Sequence, residues 1–169
     1  MLSKKLTIDR IPHLIKDKRI LMRVDFNVPI KEGKVKDATR IVSTLPTNKK
    51  KKKNGAQSII LMSHLGRPDG QRLEQYSMKP TVGCLEDLLK TKIKFLSDCV
   101  GPDIERACIG STGGEIIMLE NVRFHLAEEG KGVINGEKVK ASKDDIKAFR
   151  SSLTKLGELY VNDAFGTSH

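Results

Sequence analysis

Short, mainly apolar runs alternate with longer amphipathic segments along the chain. The runs cover residues 20–24, 58–62, 93–96, 116–119 and 159–161. Each run is too short for a stable helix, and continuous apolar character over so few residues is typical of strands buried on both faces of a parallel sheet. We therefore predict that these runs are the strands of one such sheet.

The segments between the runs have helical character, at about residues 38–53, 79–90, 102–108 and 142–156. In the last of them, Ser142 with Asp145 provides a capping-box-like start. Its apolar residues recur at i, i+3, i+7 and i+10 and mark one face of a helix: Ile146, Phe149, Leu153 and Leu156. Residues 128–136 are polar and punctuated by glycines, so we expect a loop there.

Strands that alternate with helices indicate βαβ units joined by right-handed crossovers. The predicted fold class is therefore α/β, a three-layer Rossmann-like parallel sheet with helices on both faces. No internal repeat or inter-domain linker is visible, and 169 residues suffice for one well-packed core. We predict a single domain over residues 1–169.

One predicted helix carries a conflict in its own sequence. Ile41, Val42 and Leu45 begin an apolar stripe that Pro46 kinks or restarts, and the continuation meets consecutive lysines at residues 49–53. When lysines occupy every face of a helix, at least one of them must point at the sheet. A solvated helix end is the favoured interpretation. A nucleic-acid or nuclear-import patch is the alternative, weakened because no aromatic side chains accompany the lysines.

The composition is that of a globular domain, with 38% hydrophobic and 31% charged residues. The formal net charge of +10 predicts attraction to anions, but it does not distinguish a phosphorylated metabolite from a nucleic acid or an acidic membrane. Cys84, Cys99 and Cys108 form no CxxC pair, which argues against a disulfide framework and a cysteine-based zinc site. Because the chain also lacks a signal peptide and an apolar run that could cross a bilayer, we expect a cytoplasmic protein.

Polar side chains follow four of the predicted strands at the points where the strands end. The loops at the carboxyl ends of parallel strands converge on one crevice, where open α/β sheets bind their ligands. We therefore expect four polar groups to meet at one edge of the sheet: Arg23, Asp25 and Asn27; His64 and Arg67; Glu120, Asn121 and Arg123; and Asn162, Asp163, Thr167 and His169.

The residue types in these groups suit a small, multiply negative ligand. The planar guanidinium of arginine grips phosphate or carboxylate in a bidentate manner, and histidine adds a further donor. Gly66 and Gly70 allow the backbone to approach a ligand closely. Arg40, at the start of the first predicted helix, can face the same edge of the sheet. Together these features predict an anion-binding site.

Each of these residues also has an ordinary structural interpretation. His64 by itself would be a strand-end histidine that is hydrogen-bonded to the backbone, and Arg67 and Arg123 would be surface ion-pair partners. Asp25 would cap a turn or pair with Arg23. The joint pattern favours the anion-binding site, because the ordinary explanation would have to be repeated at four strand ends.

Several catalytic and cofactor motifs are missing from the sequence. It contains no GxxxxGK[ST] phosphate loop, no GxGxxG after a strand, no HExxH and no GxSxG. The histidines, at positions 13, 64, 125 and 169, show no local spacing that is typical of metal ligands. We therefore predict neither a metal site nor a cofactor site in this chain.

Five motifs, taken together in this order and spacing, resemble the N-terminal domain of the phosphoglycerate kinase family. They are RVDFNVP at residues 23–29, SHLGRP at 63–68, DCVGP at 98–102, LENVRF at 119–124 and YVNDAFGTSH at 160–169. The family's two-domain enzymes transfer a phosphoryl group between 1,3-bisphosphoglycerate and ADP, or from ATP to 3-phosphoglycerate, with magnesium. The resemblance implies a Rossmann-like N-terminal domain whose basic patch holds the phosphoglycerate.

The resemblance also implies roles for particular side chains. Asp25 and Asn27 would hold the glycerate end of the substrate. Arg40 would bind the substrate and, as the catalytic residue, would stabilise charge on the transferring phosphoryl group. The remaining substrate-binding positions would grip the phosphate that is not transferred: His64, Arg67 and Arg123.

The chain departs from the family pattern in three respects. It ends at His169, where the pattern continues with another arginine; the nucleotide-binding domain is missing; and the lysine run replaces positions that are usually apolar. The resemblance therefore implies a truncated 3-phosphoglycerate-binding domain, with its sheet incomplete at the C-terminus, that is monomeric and inactive alone. Mg-ADP and Mg-ATP would bind only the full-length enzyme. The alternatives are a stand-alone basic module for anions or nucleic acid, and a truncation product without function.

Overall fold

The computed structural model describes residues 12–45 and 55–163. Within these residues a five-stranded parallel sheet forms the centre of the fold, and two short antiparallel hairpins flank it. The strands are β1 (Arg19–Val24), β2 (Ile30–Lys31), β3 (Lys34–Val35), β4 (Ser58–Met62), β5 (Ile93–Phe95), β6 (Glu115–Met118), β7 (Lys131–Ile134), β8 (Glu137–Lys140) and β9 (Leu159–Asp163). The order across the central sheet is β5-β6-β4-β1-β9.

Helices connect the strands of the central sheet. Two 3-10 helices, at Glu74–Tyr76 and Val122–Phe124, lie at its carboxyl edge. None of the described helices is both long enough and apolar enough to span a membrane. The α-helices are α1 (Pro12–Ile15), α2 (Thr39–Val42), α3 (Lys79–Leu89), α4 (Pro102–Ile109), α5 (Leu126–Glu129) and α6 (Lys143–Thr154).

The core lies on both faces of the sheet, because successive strand residues point in opposite directions. Ile20 and Met22 of β1 pack on one face with residues of α1, α2 and α3. Leu21, between them, packs on the other face with Phe149 and Leu153 of α6 and with residues of α4. Burial on both faces is the reason that the strand sequences are mainly apolar, and it confirms the predicted three-layer α/β fold.

Most predicted elements lie within two residues of the observed ones. α3, α4 and α6 occupy three of the four predicted helical segments. The Ser142 hydroxyl accepts a hydrogen bond from the Asp145 N–H at 3.0 Å, which confirms the predicted start of α6. Phe149, Leu153 and Leu156 are buried, as the periodicity indicated.

Of the helix predicted over residues 38–53, the described residues show α2 and a further helical residue at Leu45. α2 ends at Val42, and residues 43 and 44 form a turn. This turn interrupts the helix just before Pro46, where a kink or restart was expected because proline has no N–H to donate to the carbonyl four residues earlier. Of the proposed apolar stripe, Ile41 is fully buried, whereas Val42 is 45% exposed. The lysine run at residues 49–53 lies outside the described residues.

The loop predicted over residues 128–136 is also wrong. This segment contains the end of α5 and a hairpin in which β7 pairs with β8. Asn135 and Gly136 form its turn with φ angles of 52° and 79°. An Asn-Gly pair favours the two-residue type I′ turn, which requires positive φ at both positions. That hairpin signal was present in the sequence beneath its polar composition.

Candidate anion-binding site

Parallel pairing aligns the carboxyl ends of the central strands. Arg23 of β1 lies opposite Met62 of β4 on one side and opposite Asn162 of β9 on the other. β6 pairs with β4 in the same direction. The chain segments after these strands therefore leave the sheet at one edge, and three of them carry predicted site residues: residues 25–29, 63–70 and 119–125.

Asp25 and Asn27 bind Arg40 in the loop after β1. One guanidinium nitrogen of Arg40, Nη1, donates to Asp25 Oδ1 at 3.1 Å and to the Asn27 carbonyl oxygen at 2.9 Å. Asp25 Oδ1 also accepts the Asn27 N–H at 3.1 Å, which forms an Asx turn. The Asp25 side chain is 12% exposed, whereas that of Arg40 is 53% exposed. Arg40 is thus anchored at one nitrogen while the guanidinium remains open to solvent.

Asn27 joins the loop after β1 to the loop after β4. Its Oδ1 accepts the Gly66 N–H at 2.9 Å, and the Gly66 carbonyl oxygen lies 3.4 Å from Arg123 Nη1. Gly66 has a φ of +62°, and a Cβ at this position would lie 2.4 Å from Cε1 of Tyr76. Glycine is therefore required here by both backbone conformation and space. Through this one residue, three of the predicted site residues share a hydrogen-bonded chain with Arg40: Asp25, Asn27 and Arg123.

His64 lies beneath this network and is 6% exposed. Burial, followed by the positive charges of Arg123 and Arg23, lowers the pKa of His64 to about 4, so its imidazole is neutral at pH 7. The Ser63 hydroxyl accepts the Phe26 N–H and donates to the His64 carbonyl oxygen, each at 3.0 Å. The imidazole itself makes no hydrogen bond to another described residue. The backbone-bonded histidine of the ordinary interpretation is therefore not what the structure shows.

Arg123 also forms ion pairs, which agrees with the ordinary structural interpretation of this residue. Its Nη2 lies 3.2 Å from Glu129 Oε1, and its Nε lies 3.6 Å from Glu128 Oε2. Glu128 also pairs with Arg23 at 2.7 Å, and its side chain is only 11% exposed. Glu128 and Glu129 were not among the predicted site residues, since the loop predicted over residues 128–136 concealed their place in a helix. The signal was their position in the first turn of a helix that begins three residues after Arg123.

Asn121 holds the loops at this edge of the sheet in place. Its Nδ2 donates to the Leu65 and Tyr76 carbonyl oxygens at 2.8 and 2.9 Å, and its Oδ1 accepts the Arg123 N–H at 3.0 Å. The neighbouring Glu120 accepts three hydrogen bonds of its own and is also buried. Both side chains face other parts of the protein, so they position the site and do not face a ligand.

Other predicted site residues lie at exposed positions or outside the described residues. Arg67 is exposed, and it makes no hydrogen bond or ion pair to another residue in the described ranges. Asn162 is exposed at the end of β9. Thr167 and His169 lie outside the described residues. Three of the four strand-end groups therefore assemble into one basic surface, with Arg23, Arg40, Arg67 and Arg123 outnumbering the acids that pair with them.

The sequence as a whole was compared with known proteins. The family model for phosphoglycerate kinase matches residues 9–169. The chain belongs to the phosphoglycerate kinase family. Curated phosphoglycerate kinases from Sterkiella nova and Euplotes crassus are 69% and 63% identical to it over 169 residues. These matches cover 100% of this chain but only 40% of each relative, so the chain spans about two-fifths of the length of these phosphoglycerate kinases.

Solved structures agree with the family assignment. The phosphoglycerate kinase of Pyrococcus horikoshii OT3 matches with a TM-score of 0.75 at 26% identity, covering 92% of this chain and 36% of that protein. The phosphoglycerate kinase of Coxiella burnetii matches with a TM-score of 0.73 at 27% identity, covering 98% and 37%. The motifs that resemble phosphoglycerate kinase, at residues 23–29, 63–68 and 119–124, are those that the fold assembles at one edge.

The electrostatics of this edge suit an anion better than a metal cation. Asp25 is committed to Arg40, and Glu128 is shared by Arg23 and Arg123. Carboxylates that already pair with guanidinium groups are poor ligands for a cation, whereas exposed guanidinium nitrogens remain available to phosphate or carboxylate oxygens.

Proposed function

We propose that residues 1–169 are the 3-phosphoglycerate-binding N-terminal domain of a phosphoglycerate kinase. The observation that carries the proposal is the hydrogen-bonded chain from Arg40 through Asp25, Asn27 and Gly66 to Arg123. It brings residues from three separate loops to one basic edge of the sheet, and the same residues lie in the motifs that resemble the family.

The proposed substrate is 3-phosphoglycerate or 1,3-bisphosphoglycerate. Asp25 and Asn27 hold the glycerate end, where the Asp25 carboxylate accepts from a glycerate hydroxyl group while it keeps Arg40 in place. Arg40 binds the substrate and stabilises the charge that develops on the transferring phosphoryl group. The phosphate that is not transferred is bound by three further side chains: His64, Arg67 and Arg123.

Binding changes the partners of Arg123 and the protonation of His64. A phosphate group competes with Glu128 and Glu129 for the Arg123 guanidinium, because both anions use the same donors. In the free protein, burial and two arginines hold the pKa of His64 near 4. A bound phosphate offsets those positive charges, so it raises the pKa of His64 and favours the protonated imidazole, which can donate from both ring nitrogens.

We also propose that the complete enzyme transfers a phosphoryl group between 1,3-bisphosphoglycerate and ADP, with Mg-ADP or Mg-ATP held outside residues 1–169. The length of the curated relatives supports this, since 60% of each lies beyond the match. The isolated chain is then inactive, because it cannot bring the phosphoryl donor and acceptor together. We expect it to be monomeric and cytoplasmic, and the free thiols of Cys84, Cys99 and Cys108 support a reducing compartment.

Titration with 3-phosphoglycerate, followed by backbone amide NMR shifts, tests the substrate proposal. We expect shift changes to cluster around Asp25, Gly66 and Arg123. Arg67→Ala should weaken binding roughly 10- to 100-fold, because a charge-assisted hydrogen bond contributes about 1.5–3 kcal/mol. The fold should be unchanged, since Arg67 is exposed and has no partner among the described residues. Arg150→Ala on the exposed face of α6 is the matched control and should bind as the unchanged chain does.

Equal binding by Arg67→Ala and Arg150→Ala would contradict the proposed site. Stronger, salt-sensitive binding to DNA or RNA than to 3-phosphoglycerate would favour the nucleic-acid module instead. ATP-dependent turnover by the isolated chain would contradict the proposed inactivity.

A further inference from the structure

A cluster of three possible metal ligands contains none of the proposed substrate-binding residues. Asp98 and Cys99 follow β5, and His125 precedes α5. A carboxylate oxygen of Asp98, the Cys99 sulfur and a His125 ring nitrogen all lie within 4.8 Å of one another. The closest pair is His125 Nε2 and Asp98 Oδ1, at 2.6 Å. The three residues are distant in sequence, so local spacing could not reveal the cluster.

The Cys99 thiol is the buried member of the cluster and also packs in the core with Leu21 and Ile60. It is fully buried, forms no disulfide, and makes no hydrogen bond to another described residue. The other two ligands are partly open to solvent, with 32% of the Asp98 side chain and 31% of the His125 side chain exposed. The cluster therefore has a buried soft ligand at its base and two exposed ligands through which an ion can enter.

We propose that Asp98, Cys99 and His125 bind a thiophilic divalent cation of the Zn²⁺ class. Thiolate, imidazole and carboxylate are the side chains that zinc prefers, and three protein ligands leave a fourth tetrahedral position for water. The ring of Phe149, whose centroid lies 5.3 Å from that of His125, packs against the imidazole and restricts its orientation.

The required rearrangement is confined to side chains. Metal–ligand bonds of about 2.0–2.3 Å place tetrahedral ligand atoms roughly 3–4 Å apart. His125 Nε2 and Asp98 Oδ1 must separate by about 1 Å, whereas the Cys99 sulfur, which lies within 4.8 Å of both, must approach by at most about 2 Å. Asp98 Oδ1 accepts the Cys99 N–H at 2.7 Å, which keeps the carboxylate next to the thiol during this change.

Binding exchanges one proton for one metal–sulfur bond. The S–H bond of Cys99 breaks, the sulfur electron pair bonds the metal, and the proton passes to the buffer. The proton on His125 Nε2, which is hydrogen-bonded to Asp98 Oδ1, moves through water to Nδ1, so that the Nε2 lone pair bonds the metal and Asp98 binds as the carboxylate. No oxidation or reduction takes place.

Arg72 opposes the cation and therefore provides a second test of the site. Its Nη2 lies 3.4 Å from Asp98 Oδ2, and its Nη1 donates to the Ser97 carbonyl oxygen at 2.7 Å. The guanidinium places a positive charge close to the proposed metal position. Arg72→Gln removes this charge from an exposed side chain, so it should tighten metal binding several-fold, up to about tenfold.

Titration of the metal-free, reduced 169-residue chain with Co²⁺ tests the proposal, since cobalt reports its ligands optically. We expect one equivalent to produce a near-ultraviolet thiolate-to-cobalt band and visible bands of a tetrahedral site, and Zn²⁺ to displace both. Cys99→Ser should abolish the thiolate band. Cys84→Ser and Cys108→Ser are the matched controls and should retain it.

His125→Gln addresses the risk that Cys99→Ser disturbs the core. It keeps the thiol, and we expect at least about tenfold weaker Co²⁺ binding with an unchanged circular dichroism spectrum. Absence of the thiolate band from the unchanged chain would overturn the proposal. A band that survives Cys99→Ser, or an affinity indifferent to both His125→Gln and Arg72→Gln, would also overturn it.

Discussion

Replacement of Glu120 tests how the loops of the anion-binding site are held. Its carboxylate accepts hydrogen bonds from the Met78 N–H at 2.7 Å, the Asn121 N–H at 2.8 Å and the Ser77 hydroxyl at 2.7 Å. Glu120 is only 5% exposed, and the two N–H donors belong to residues that are at most 1% exposed. These bonds attach the start of α3 to the loop that follows β6.

Two substitutions separate hydrogen bonding from shape. Glu120→Ala leaves two buried N–H groups without an acceptor, at about 1–3 kcal/mol each, so we expect a loss of about 4 kcal/mol in the free energy of unfolding. Glu120→Gln keeps one oxygen for both N–H groups, and its amide nitrogen can donate to the Ser77 hydroxyl. Only the charge assistance is lost, so we expect a decrease of about 1–2 kcal/mol.

Urea unfolding followed by far-ultraviolet circular dichroism measures both losses, provided that the m-value is unchanged. Glu137→Ala, at an exposed position of β8, is the control and should stay within about 0.5 kcal/mol of the unchanged chain. Equal losses for Glu120→Ala and Glu120→Gln would refute the reasoning, because hydrogen-bond satisfaction would then not determine the stability. If Glu120→Ala is already unfolded without urea, Glu120→Gln must still fold for the reasoning to hold.

Three further predictions concern the site and the core. Gly66→Ala should lower the free energy of unfolding by at least about 1 kcal/mol and weaken 3-phosphoglycerate binding in the NMR titration, because φ is +62° and the new Cβ meets Tyr76. The pKa of His64 is about 4 when folded against 6.5 as reference, so the unfolded chain binds its proton first as the pH falls. The free energy of unfolding should therefore fall by up to about 3 kcal/mol between pH 6.5 and 4. The urea midpoint of His64→Gln should not show this part of the pH dependence. Ile60→Ala, at a fully buried position of β4, should cost about 2–5 kcal/mol in urea unfolding, whereas Val133→Ala, at a 47% exposed position, should cost less than about 1 kcal/mol.

The strands and the fold class could be predicted from the sequence because burial on both faces leaves a local record. Residues 58–62 are apolar throughout apart from Ser58, and the observed strand β4 has the same bounds. Such runs need no knowledge of what they pack against. The edge at which Asp25, His64 and Arg123 meet followed from the same reasoning, since parallel strands must end on the same side.

Features that depend on the backbone conformation of one or two residues were harder to predict from the sequence. The Asn135–Gly136 turn joins β7 to β8 although composition indicated a loop, and a turn at residues 43–44 ends α2 within the predicted apolar stripe. Both signals are local, but their meaning depends on one or two dihedral angles. Average polarity does not report those angles.

Residue types and the positions of the strands along the chain were thus determined by the sequence, whereas the partner of each side chain was decided by the tertiary structure. The sequence placed Arg123 and His64 at a common edge, but only the fold showed Arg123 paired with Glu128 and Glu129 and His64 buried under two arginines. The fold also brought Asp98 and Cys99 next to His125. Ion pairs, pKa shifts and ligand clusters depend on distances between residues that are remote along the chain. Those distances exist only after the sheet has assembled.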